Sequence, residues 1–161
     1  MRLTNRTNYA LRTLQLAALR APELVRVEEV ARAHGISRAH VTKIVRDLGG
    51  WDFLETVRGR GGGFRLARPA EEITVGAVVR RTDGPIALVE CFEPATNSCP
   101  LIGVCRLSSG LGEALEAFLA VLDRLTVADI AANRGALLHR LDGALATGDQ
   151  HFSQVRRPSS V

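Results

Sequence analysis

The chain has 161 residues, enough for one domain with an appendage and a buried core. With 46% hydrophobic and 24% charged residues it has the balance of a soluble globular protein, and no apolar run approaches the ~20 residues of a membrane helix. The net charge of +4 is lopsided: residues 1–69 carry 13 Lys and Arg against 6 Asp and Glu, residues 70–161 carry 8 against 11, so the first part suits a polyanion.

The N-terminal stretch MRLTNRTNYALRTLQLAALRAPE pairs arginines with leucines as a leader peptide does. Arg12 and Gln15 interrupt it and no small-residue cleavage site follows, so it is expected to be an amphipathic helix of a cytoplasmic protein. From Thr4 to Arg20, Tyr9, Leu14, Ala17 and Ala18 recur at helical spacing, and Pro22 ends the run. A short helix over Val27–His34 stops at Gly35, and a third opens at the N-cap Ser37 and runs to Gly49-Gly50. Two helices joined through a glycine turn make a helix-turn-helix pattern. Ser37, Arg38, His40 and Lys43 lie at the start of its second helix, where base edges are read. Lys43 is the only lysine; every other cation is arginine, which suits bidentate contact to phosphate or guanine. Arg2, Thr4 and Arg6 are expected phosphate contacts beside the first helix.

Leu54, Thr56 and Arg58 alternate as a strand, Phe64–Leu66 returns, and RGRGGG forms the tip. A nucleotide-cradling loop would end in Lys-Ser/Thr and open into a helix; this one opens into a strand. It reads as a wing, with Arg58 and Arg60 able to enter a minor groove. ITVGAVVRRTDG predicts a helix capped by Thr74 and closed by Gly84. Leu107, Leu111, Leu115, Phe118, Leu122 and Leu125 then form a sustained stripe on one long helix, which suits its own domain as well as a second copy of the chain, and the paired half-sites of helix-turn-helix readers favour the second copy. Thr126-Val-Ala-Asp129 is a capping box for a last short helix. The expected division is a reader over 1–84, a cysteine loop over 85–106, a dimerisation and a C-terminal helix over 107–142, and a disordered tail over 143–161.

All three cysteines, Cys91, Cys99 and Cys105, lie in ECFEPATNSCPLIGVCRL, broken by Pro94, Asn97, Pro100 and Gly103. Cytosolic thiols stay reduced, so three together suggest a metal site or a redox sensor. Structural zinc takes four ligands, commonly in close pairs, whereas the gaps here are seven and five residues and the loop has no histidine. Plain packing leaves the clustering unexplained, and a thiol switch would use one pair and leave one spare. An iron–sulfur cluster suits an irregular thiol loop better, and one incompletely ligated iron suits a sensor. No Ser-His-Asp set, acid pair or nucleotide fingerprint marks an enzyme; His34, His139 and His151 read as surface residues.

RLTNRTNYALR, GISRAHVTKIVRDL, VRGRGGGFRLARPAEEITVGAVVR, the C-x₇-C-x₅-C loop and LTVADI occur in this order. Over roughly residues 1–132 the set resembles the NsrR-type nitric-oxide-sensing repressors, in the family that includes the iron–sulfur regulator IscR. The resemblance implies a mostly α-helical fold with a small β-hairpin wing: a winged helix-turn-helix domain plus a long dimerisation helix. It further implies a homodimer on a double-stranded DNA operator, with Cys91, Cys99 and Cys105 holding one cluster per subunit. Arg12, from the partner's first helix, would stand near it. Asn8, from that same helix, matches an aspartate that serves as fourth ligand in some NsrR proteins. Ser108 stands where IscR-type proteins have a ligating histidine, which favours [4Fe–4S] over [2Fe–2S]; Glu90, Glu93, water or a small molecule are other candidates for the fourth corner. The expected function is a repressor that releases its operator when nitric oxide attacks the cluster. The alternatives are a regulator of iron or iron–sulfur supply and a small metal-binding or electron-transfer protein with no DNA role.

Overall fold

The computed structural model describes the backbone of residues 2–154 and the side chains of residues 2–146. α1 spans Asn5–Arg20, with the Thr4 hydroxyl accepting from the Thr7 amide as N-cap. It is the central helix: Ala10, Leu14, Leu16, Ala17 and Leu19 are all buried, because neighbours pack on more than one side of it. α2 (Val27–His34) ends at Gly35, whose left-handed φ of 64° lets its amide reach the carbonyls of Ala31 and Arg32. α3 (Arg38–Gly50) opens at Ser37, whose hydroxyl accepts from the His40 amide. Val30, Ile36, Val41, Ile44, Val45 and Leu48 close the helix-turn-helix onto α1.

β1 (Leu54–Val57) and β2 (Gly63–Leu66) pair antiparallel with Leu54 opposite Leu66 and Val57 opposite Gly63. The expected first strand included Arg58, but pairing stops at Val57 and Arg58 belongs to the turn. The cause lies in Gly59 and Gly61, whose φ values of 98° and 81° carry the chain around earlier. Val25 bridges to Phe64, so the hairpin is fastened to the reader through backbone hydrogen bonds of 2.9 Å in both directions. Phe64 itself is 1% exposed and fills the core beside α1.

α4 (Val75–Asp83) is capped by Thr74 and closed by Gly84, as its sequence predicts. A 3₁₀ turn at Glu90–Phe92 interrupts the following loop, and α5 runs from Arg106 to Arg124, about 28 Å at 1.5 Å per residue. α6 (Val127–Ala131) has the complete Thr126–Asp129 capping box. α7 then extends from Arg134 to Gln154. This corrects the expected tail for residues 143–154. Leu141 packs against the core and Asp142 pairs with Arg20 at 2.6 Å, so the helix is already anchored where Gly143 would otherwise favour a stop. The remainder of the expected tail, 155–161, lies outside the described residues. Among the described residues no helix is long and apolar enough to cross a membrane.

No residue of α5 is buried. Leu111, Leu115, Phe118 and Leu122 are half-buried, while Leu107 is 69% and Val121 54% exposed. The helix is held at its C-terminal end. Val75 donates to the Leu125 carbonyl at 2.7 Å, Val127 to that of Ile73 at 2.8 Å, and Arg80 clamps Asp123 with two bonds of 2.5 and 2.7 Å. Gly76 makes the clamp fit, because a Cβ there would stand 2.0 Å from the Asp123 carboxylate.

Candidate nucleic-acid interface and cysteine recess

The exposed side of α3 begins with Ser37, Arg38, His40 and Lys43. The helix-turn-helix holds α3 by its buried face, so these side chains project outward from its first turns. His40 is steadied twice: its Nδ1 lies 2.9 Å from the Ser37 hydroxyl, and its ring faces Tyr9 at 6.2 Å between centroids. Arg38 pairs with Glu28 at 2.9 Å, with side chains 74% and 49% exposed. Such a pair contributes about 0–1 kcal/mol, so its guanidinium is readily available to a stronger anion. A shallow depression of about 260 Å³ lies between α1 and α3, lined by Asn5, Arg6, Tyr9, His40, Lys43 and Ile44. The sequence pattern assigned Tyr9 to a core face and passed over Asn5. Nothing short of the packed α1–α3 pair places both beside His40.

Arg58 and Arg60 are exposed in the wing turn. The backbone there is compact: a Cβ on Gly62 would meet the Val57 carbonyl oxygen at 2.3 Å. Arg2 is exposed ahead of α1. Thr4 and Arg6, expected at phosphates, are engaged within the protein. The Thr4 amide and hydroxyl both donate to Asp83. Arg6 donates to Asp47 at 2.6 Å and to the Thr82 carbonyl at 3.4 Å, with its guanidinium 5.1 Å above the Trp51 ring.

The cysteines come from three different local structures. Cys91 sits in the 3₁₀ turn, Cys99 in the loop with its amide bonded to Asn97 Oδ1 at 3.0 Å, and Cys105 at the N-cap of α5. All three are free thiols, partly exposed, and they line one recess of about 240 Å³. Its walls are largely apolar, from Val89, Leu101, Leu107 and Leu111, and Ser108 hydroxyl lies 3.2 Å from the Cys91 sulfur. Glu90 also lines it, but one carboxylate oxygen already accepts from the Ser98 amide and hydroxyl at 2.6 Å each. Those two bonds hold the Glu90 carboxyl below its ordinary pKa. Glu93 accepts from Thr96 at 3.3 Å. Asn8 is exposed on α1, and Arg12 lies near enough to His34 for its charge to act there; neither lines the recess of its own chain.

Among the described residues no three His, Cys, Asp or Glu side chains stand close enough to hold a single metal ion. A zinc ion needs tetrahedral convergence at about 2.3 Å from sulfur, whereas an iron–sulfur group takes its thiolates on different irons, which keeps them apart. Three thiols spread around one apolar-walled space therefore fit the polynuclear group better than the lone ion.

Residues 3–133 match the profile of the Rrf2 family, described as an iron-dependent transcriptional regulator. The chain belongs to the Rrf2 family. It is 51% identical over 138 residues to the HTH-type transcriptional regulator NsrR of Geobacillus kaustophilus, covering 85% of this chain and 94% of the relative. The NsrR of Bacillus subtilis is 44% identical over 142 residues, covering 88% and 97%. Among solved structures, IscR of T. potens superposes with a TM-score of 0.67 at 20% identity, over 83% of this chain and 88% of that one. The mostly helical fold with a hairpin wing is thus the Rrf2 fold, and the chain is a DNA-binding transcriptional regulator, not an enzyme.

Proposed function

We propose that this Rrf2 protein is a homodimeric cytoplasmic repressor that holds an iron–sulfur cluster on Cys91, Cys99 and Cys105 and releases its operator in response to nitric oxide. The recess carries the reading: three free thiols from three local structures face one apolar-walled space at the N-terminal end of α5. Relatives named NsrR at up to 51% identity support the signal. Ser108 in place of a histidine favours [4Fe–4S] over [2Fe–2S], with Asn8 of the partner subunit as fourth ligand and Arg12 beside it. When bound, such a cluster supplies an iron that a small diatomic molecule can attack.

The chain's own residues do the rest. Side chains of the loop over 85–105 are exposed or half-buried, so three thiolate bonds would fix its path between α4 and α5. Without those bonds Cys105 and the start of α5 would be held only by the half-buried contacts of the loop. A second copy of α5 covers the stripe of Leu107, Leu111, Leu115, Phe118 and Leu122, none of which its own chain buries fully. Ser37, Arg38, His40 and Lys43 then meet major-groove edges, Arg58 and Arg60 the minor groove, and Arg2 a phosphate. Two such heads must match half-sites ~34 Å apart, so a change in the setting of α5 alters that match. A switch from mostly bound to mostly released needs about 5 kcal/mol of differential stabilisation.

The test is operator affinity of anaerobically purified protein before and after nitric oxide, with iron and sulfide quantified alongside. Holo-protein should bind tightly and lose orders of magnitude in affinity on exposure; equal affinity in both states, or zinc without sulfide, overturns the reading. A regulator of iron or iron–sulfur supply is the second reading, favoured by the family's iron-dependent description. It predicts release on iron withdrawal without nitric oxide.

A further inference from the structure

We infer that Arg6 is a positioning residue that transmits the state of the cysteine loop to the recognition helix α3, and is not a phosphate contact. The inference rests on the proposed function, since it concerns how loop and reader communicate.

The cysteine loop is rooted at Thr82 and Asp83, the last two residues of α4 before the Gly84 cap. Both are tied to the first turn of α1. Thr82 hydroxyl, in a residue 6% exposed, pairs with the Thr7 hydroxyl at 2.5 Å, and Asp83 accepts from Thr7 at 2.7 Å and from the Thr4 amide at 3.3 Å. The loop's root and the start of α1 therefore move as one body.

Arg6 extends that body to α3. Nη1 donates to the backbone carbonyl of Thr82 at 3.4 Å, Nη2 to Asp47 in α3 at 2.6 Å, and the guanidinium plane covers Trp51, the residue that closes α3. One planar group thus touches the loop's root and two points near the end of the reading helix. The third donor, Nε, is buried and has no acceptor, so it does not reach toward the surface either. A phosphate-binding arginine directs a free fork of donors outward; here both Nη nitrogens are bonded within the protein and the side chain is 41% exposed. Tyr9, one turn further along α1, contacts His40 near the other end of α3. A displacement of the loop's root consequently reaches both ends of the recognition helix, through Arg6 at one and Tyr9 at the other.

Phosphate contact and positioning leave different signatures. Each phosphate contact adds about 0.9 to the slope of log affinity against log salt. A positioning residue leaves that slope alone and changes how strongly affinity depends on the cluster. The experiment uses the full-length protein, purified anaerobically, and a duplex selected from random sequence by that protein. Affinity is measured from low to high salt for cluster-loaded and cluster-stripped samples of wild type, Arg6→Gln, Asp47→Asn and the double variant, with the cluster followed by its absorption. Arg6→Gln should keep the salt slope and bring the loaded-to-stripped affinity ratio to within about threefold of one, about 0.65 kcal/mol of residual coupling. Asp47→Asn should reproduce the lost ratio while leaving the arginine in place, and the double variant should be no worse than either single one. A slope reduced by about one in Arg6→Gln, or a ratio unchanged in Asp47→Asn, overturns the inference while the proposed function stands. A wild-type protein that selects no duplex overturns the proposed function itself.

Discussion

Replacing Asp83 by Asn tests the joint between α1 and α4 with a change of almost no volume. The carboxylate accepts three hydrogen bonds, from the Thr4 amide, the Thr4 hydroxyl and the Thr7 hydroxyl. Asparagine offers one oxygen and one NH₂ group. With its oxygen toward the hydroxyls, its NH₂ confronts the Thr4 amide, donor against donor. The opposite flip turns the NH₂ group toward both hydroxyls, whose protons then lose their acceptor. Hydrogen bonds to a charged acceptor contribute about 1.5–3 kcal/mol net and neutral ones about 1. Asp83 is only partly buried and water replaces some of what is lost, so the expected cost is about 1–2 kcal/mol. For a chain of this size that lowers the melting temperature by roughly 3–6 °C.

The pH dependence gives the same reasoning a sign. Partial burial raises the Asp83 pKa, but the bonds from Thr4 and Thr7 and the charge of Arg6 together outweigh it, and the folded value lies below the ordinary 3.8. The stabilisation is therefore fully present above that value and is lost as pH falls through the lower folded pKa. Thermal unfolding followed by circular dichroism should show the deficit of Asp83→Asn at pH 7 and its closure in strong acid. A variant within 1 °C of wild type at pH 7, or a gap that persists unchanged in acid, would refute the argument.

Phe64→Ala removes the aromatic side chain that fastens the hairpin to the reader, at 1% exposure, and should cost about 3–5 kcal/mol in urea unfolding; a loss below 1.5 would mean that the wing contributes little to the core. His34 is kept neutral by burial first and by the nearby Arg12 charge second, so its folded pKa is lowered. The unfolded chain takes up the proton first, and stability should fall as pH drops below about 6.5; His34→Gln should flatten that limb of the stability–pH curve. Lys43→Ala removes an exposed cation from the base-reading turn of α3 and should weaken operator binding by about 1–3 kcal/mol and relax specificity at the base it meets, without changing the melting temperature.

Local chemistry was legible wherever it acts through neighbours in sequence. Ser37, Gly35, Thr74 and the Thr126–Asp129 pair bound their helices where the residue types indicate, because a cap is satisfied within three or four residues. The identity of the thiols as a set was legible too, since their crowding in one loop has few physical explanations. What eluded the sequence depends on partners distant along the chain. Arg6 carries the charge and position of a phosphate contact, and only the folded proximity of Thr82, Asp47 and Trp51 gives it partners within the protein. α7 is a similar case. The polar stretch beyond Gly148 argues for a tail, and the anchorage that favours a helix comes from Arg20, 122 residues before Asp142.

The position of α5 shows why a loop of modest packing can matter to a distant reading head. Its C-terminal end is stapled to α4 by the Val75–Leu125 backbone hydrogen bond and by the Arg80–Asp123 clamp, and Gly76 lets that clamp close without a side chain in the way. The exposed clamp alone contributes little free energy. Its value is geometric, because two parallel bonds fix an orientation that one would leave free. At the other end α5 begins at Cys105, with no buried side chain along its length to fix it independently. A helix about 28 Å long, secured at one end and lightly held at the other, turns a small displacement at its free end into a rotation about the staple. The α4 that bears this staple ends at Thr82 and Asp83, against α1 and the arginine that grips α3.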